Sequence, residues 1–175
     1  MKIWRILLLS CVWLYSLELD ALREQLSYSQ IQGNFTQEKR IQNLPHSIKT
    51  TGYFSITKKA LLWETKTPIP SSVKITNEGI YTLENGQWHP MGNSYSKQFF
   101  LSLINLDFAE LQKNFQLLPQ GNLEQWQIQL QPTGAIISKF FKEIYIRGNH
   151  LVKEVVLEEA NGDITTIRFD NMQTK

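Results

Sequence analysis

Cysteine is nearly absent from this 175-residue chain: Cys11, close to the start, is the single one. Beyond it no thiol remains, which excludes disulfides, thiolate catalysis and cysteine-held metals. An excess of one charge is also missing. Eighteen basic and 16 acidic residues leave +2, and removal of residues 1–16, with Lys2 and Arg5, brings the balance to zero. A chain without net charge has no long-range field to hold a polyanion, so nucleic acid is not an expected partner. Catalytic spacing is lacking too. His46, His89 and His150 lie far apart, and none has a neighbour at metal-ligand spacing. Glu158 and Glu159 are adjacent and would face opposite ways on a strand. There is no Gly-x-Ser-x-Gly elbow and no phosphate-cradling glycine loop. The chain therefore reads as a non-enzyme that needs neither metal nor cofactor.

The one long apolar run, Ile6 to Leu17, falls short of the roughly 20 residues that span a bilayer. With Lys2 and Arg5 before it, it has the form of a secretory signal peptide over residues 1–17, cut somewhere between 16 and 21. Residues 18–175 then form a single exported domain. Leu8-Leu9-Ser10-Cys11 has the outline of a lipoprotein box, but only five residues separate Arg5 from Cys11 and the apolar run continues past it.

Periodicity divides the rest. Leu19, Leu22, Leu26 and Ile31 share a helical stripe, ended by Gly33. From there the rhythm is that of strands. Ile48, Thr50, Gly52, Phe54 and Ile56 make one face of a strand; Leu61 and Trp63 alternate with Leu62 and Glu64 until Pro68 and Pro70. Asn85-Gly86 is the strongest hairpin signal. Between Ser96 and Phe115 the period returns to that of a helix with a broad apolar face, including Phe99, Phe100, Leu103 and Ile104, and Asp107 is placed to cap a second short helix. A meander closes the chain: Trp126, Ile128 and Leu130 alternate with glutamines, and three further strands follow. So many antiparallel strands with one apolar face must curl, and the few helices must close the curl. The expected fold is mainly β with α, a strongly curved, incomplete antiparallel barrel closed by short helices.

The segment Ile48 to Pro68 has a glycine two residues before an aromatic, a basic turn, then an apolar residue and tryptophan ahead of a proline. With Phe35-Thr36-Gln37 upstream, Val73 to Tyr81 after it, and the ending Gly162 to Phe169, this ordered set resembles the LolA lipoprotein-carrier family along nearly all of the chain beyond the leader. The resemblance implies a periplasmic carrier that holds lipoprotein acyl chains in an apolar cavity. It would receive cargo from an inner-membrane ABC transporter and pass it to an outer-membrane acceptor. It further implies a cavity wall and lid made of Phe35, Phe54, Leu61, Trp63, Ile75, Trp88, Phe99, Phe100, Leu103 and Ile104, with the lid over Lys97 to Leu106. Two features depart from the family. The turn before Trp63 is the short Lys58-Lys59-Ala60 instead of an arginine-proline turn, so Lys59 is the candidate for a lid or head-group contact. The family's further C-terminal strand has no counterpart in the sequence after Phe169. Three readings stay open on these residues: a lipoprotein carrier, a carrier of another acyl product, and a non-transporting interaction module on the same fold.

Overall fold

The computed structural model describes residues 17–57, 59–91, 99, 102–103 and 105–175. Eleven strands form one sheet: β1 (Gln30–Arg40), β2 (Ile48–Thr57), β3 (Ala60–Thr67), β4 (Ser71–Thr76), β5 (Ile80–Glu84), β6 (Gln87–Met91), β7 (Phe115–Asn122), β8 (Gln125–Pro132), β9 (Phe141–Gly148), β10 (Val152–Glu159) and β11 (Ile164–Thr174). Their spatial order is β6-β5-β4-β3-β2-β1-β11-β10-β9-β8-β7. Two meanders thus run outward from a central pair, β1 against β11, in which Phe35 faces Phe169. The sheet does not close, and β6 and β7 are its free edges. Each edge carries a proline, Pro90 or Pro119, which blunts it against pairing with another chain.

Local chemistry sets the turns. Asn85 and Gly86 both take positive φ, 50° and 77°, the two-residue turn that matches strand twist. Asp107 accepts the Glu110 N–H and starts α2, Phe108–Leu111. The expected long first helix is shorter: α1 spans Leu19–Gln25, and Ile31 and Gly33 belong to β1. The reason lies at the other end of the chain. The N–H groups of Ser29 and Gln30 donate to the Lys175 carbonyl, and Lys175 donates back to Gln30, so this backbone extends the β1–β11 ladder. The edge strand β7 also begins where the sequence reads as helix, at Phe115.

Two halves of the sheet are filled differently. Over β7 to β10 the inner face carries Phe115, Trp126, Ile128, Leu130, Ile144 and Ile146, packed with Leu22 of α1 and Phe108 and Leu111 of α2. Ile128, Leu130, Ile144 and Ile146 are wholly buried, each contributing about 1.5–3 kcal/mol by its removal from water. Leu17 is part of this packing. Gln25 ties α1 down by donating to the carbonyls of Leu123 and Asn149. Among the described residues, no such cluster covers β1 to β6.

Candidate functional site

The register of the first six strands places one aliphatic residue opposite the next. Ile31 faces Ile56, Ile56 faces Leu61, Leu61 faces Ile75, Ile75 faces Ile80, and Ile80 faces Met91. Side chains alternate across a sheet, so this row lies wholly on the inner face. It lines a cavity of about 800 Å³. One residue pair along, Phe54, Trp63 and Val73 form a second row on the same side. The facing wall comes from Leu26 and Tyr28, from Leu103 and Leu106, and from Val155, Leu157, Ile167 and Phe169.

Aromatic packing forms the floor. Phe35 stacks on Trp63 with ring centroids 3.8 Å apart, and Phe54 meets Phe169 edge-on at 5.0 Å. This depends on Gly52, which stands opposite Phe35. A Cβ there would sit 2.0 Å from the Glu64 carbonyl and 2.6 Å from the Phe35 ring. The glycine two residues before Phe54 is therefore the gap through which Phe35 crosses to reach Trp63.

Polar groups in the lining are few. Among the described residues Arg23 and Asp107 are its charged members, and Asp107 caps α2. Gln37 also reaches the lining. Two residues along β1 from it, Lys39 pairs with Glu159 at 2.8 Å and Asp163 at 3.3 Å. The Glu159 bond holds the Lys39 pKa above its ordinary value. The Gln42 N–H, followed by Lys39, holds the Asp163 carboxyl below its own. This network fastens β1 to the β10–β11 turn.

Of the residues named from the sequence, Phe54, Leu61, Trp63, Ile75 and Leu103 line the cavity, and Phe35 lies buried against Trp63. Trp88 does not, and that expectation is corrected. It pairs with Leu83 across the tight hairpin, one position out of phase with Ile80 and Met91, and so stands on the outer face. There the Lys74 ammonium lies 4.5 Å from its ring. Phe99 packs with Phe115 and Phe141 in the filled half. Lys59 is exposed at the β2–β3 turn, where its N–H bonds Thr57 Oγ1. Phe100 and Ile104, with half of the lid expected over 97–106, lie outside the described residues. The sequence reading missed Ile31, Ile56, Ile80 and Met91. Alternation marks each as apolar, but only the register shows that they form one row.

The fold is thus a half-open antiparallel sheet, covered by helices, that encloses an apolar hollow. The chain matches the family described as "Outer membrane lipoprotein carrier protein LolA" over residues 27–175, and it belongs to that family. A LolA-superfamily protein of Nitrosomonas europaea has the same fold, with a TM-score of 0.53 at 7% identity, covering 91% of this chain and 94% of that one. MucB superposes with a TM-score of 0.53 at 11% identity, over 89% of this chain and 57% of its own length, so the chain spans little more than half of MucB. Both likenesses are of fold alone. No curated protein matches the chain in sequence. No helix among the described residues is long and apolar enough to cross a membrane.

Proposed function

We propose that the protein is a periplasmic carrier that takes acyl chains of a lipoprotein or a related lipid into this cavity and releases them at another membrane. The observation that carries the proposal is the cavity of about 800 Å³ walled by the row from Ile31 to Met91. That volume falls within the roughly 300–1,000 Å³ of small-ligand sites. Each methylene brought in contributes about 0.8 kcal/mol, so a long acyl chain gains on the order of ten before the costs of ordering it. No bond is made or broken, and transfer needs only a second site with a comparable hold on the chain. Family membership supports the same reading, including an ABC transporter at the inner membrane and an acceptor at the outer one as partners.

Native mass spectrometry of protein recovered from the periplasm tests the proposal. The expected result is an adduct of acyl-lipid mass, diminished in Leu61→Glu, where a carboxylate replaces a residue in the middle of the aliphatic row. Lipid-free protein in both cases, with no uptake of added fatty acid, overturns it.

A further inference from the structure

The chain has three methionines, and the two among the described residues, Met91 and Met172, both line the cavity. Met91 ends the aliphatic row. It stands opposite Ile80 on the free edge strand β6 and is 48% exposed. Met172 lies at the other side of the row, on β11. There the β1–β11 register shifts between Gln32 and Asn34, and Asn171 takes a positive φ of 49°. Such a bulge re-aims a side chain. The Met172 Cγ comes within 3.1 Å of where a Cβ on Gly33 would stand, so the thioether is held over Gly33, two residues along β1 from Ile31. Met172 is only partly exposed there.

A thioether differs from the isoleucines and leucine of the row in two ways. It is unbranched, so it can follow acyl chains of differing shape. It can also be oxidised. A lone pair on sulfur attacks one oxygen of a peroxide, the S–O bond forms as the O–O bond breaks, and the second oxygen leaves as water. Sulfur loses two electrons to the peroxide, and the product is a polar, chiral sulfoxide. Met91, the more exposed of the two, is the one that peroxide reaches first.

The consequence differs between the empty and the loaded protein. With the cavity empty, the sulfoxide of the half-exposed Met91 turns its oxygen to water and the fold keeps its contacts. An acyl chain lying along the row covers that oxygen, and Ile80, its partner across the ladder, offers it only hydrocarbon. A polar group buried without a hydrogen bond costs free energy, here charged wholly to binding. We propose that Met91 is an oxidation site, at which peroxide converts the thioether to a sulfoxide and loosens the cavity's hold on an acyl chain. The effect on cargo rests on the carrier reading; the oxidation itself does not.

Hydrogen peroxide, dosed to add about one oxygen per chain, tests the proposal on the purified protein. Peptide mapping locates the oxygen, and the affinity for a fluorescent fatty acid is measured before and after treatment. Met1 is common to every variant. The expected result is oxygen on Met91 ahead of Met172 and an affinity that falls at least about fivefold. The thermal midpoint should stay within about 2 °C of the untreated value. Methionine sulfoxide reductases, one for each epimer, should restore the affinity. The ratio of affinities before and after should approach one in Met91→Leu and stay at the parent's value in Met172→Leu. Oxygen found first on Met172, a ratio that Met91→Leu leaves unchanged, or a midpoint that falls together with the affinity overturns the proposal. A protein that takes up no probe before treatment overturns the carrier reading and this proposal with it. Uptake indifferent to complete Met91 oxidation overturns the proposal alone.

Discussion

The two halves of the sheet share one architecture and differ in what covers their inner face. Over β7 to β9, α1 and α2 pack Leu22, Phe108 and Leu111 with Ile128, Ile144 and Ile146 in one buried cluster. Over β1 to β6 an equally apolar face, from Ile31 to Met91, looks onto a hollow. The difference is not one of hydrophobicity, since both faces are built of Ile, Leu and aromatic rings. The filled half supplies the stability that lets the other stay empty. On the proposed carrier function both are needed, the packed half for stability and the hollow for cargo.

The largest effect should come from opening the filled half. Ile144→Ala leaves a cavity among close-packed neighbours and should cost about 2–5 kcal/mol in urea unfolding. Gly52→Ala comes next. The added methyl group meets the Glu64 carbonyl and the Phe35 ring, so overpacking should cost about 1–3 kcal/mol and dislodge the stacked Phe35 and Trp63. Loss of tryptophan order in near-ultraviolet circular dichroism would report it. Leu61→Ala should fall below both, under roughly 2 kcal/mol, because the lost atoms already faced empty space on one side. A cost equal to that of Ile144→Ala would erase the distinction between the halves.

A smaller effect distinguishes the seam between them. Asp163 has its carboxyl pKa lowered by the Gln42 N–H and Lys39, so it stabilises the fold above its unfolded value of about 3.9. That contribution is lost as pH falls through the lower folded value. Asp163→Asn should therefore lower the thermal midpoint most at neutral pH and converge with the parent in acid, flattening the acid limb of a plot of midpoint against pH. An unchanged acid limb would remove the Lys39 network from the account of how β1 is held to the β10–β11 turn.

Much of this division was legible in the residues. Alternation gave most strands, Asn85-Gly86 gave its hairpin, and Asp107 gave the α2 cap. Leu61 and Trp63 were readable as neighbours of a hollow through the family pattern. What escaped depended on pairing between distant segments. Ile31 suits a helical stripe as well as a strand, and only the bonds from Ser29 and Gln30 to Lys175 decide between them. Trp88 is as apolar as Trp63, but a two-residue turn fixes it opposite Leu83 and so on the outer face. The strand β7 was hidden by Pro119 and Gly121, which an edge position tolerates. The packing of Phe99 against Phe115 and Phe141 likewise followed from tertiary structure and not from spacing.

Titration of delipidated, refolded protein with a polarity-sensitive fluorescent fatty acid addresses the hollow half most directly. The account predicts saturable uptake with blue-shifted emission, abolished in Leu61→Glu while far-ultraviolet circular dichroism stays unchanged, and retained in a folded Leu123→Asp control. A folded parent protein that takes up no probe, or a Leu61→Glu variant that takes it up as well as the parent, would contradict it.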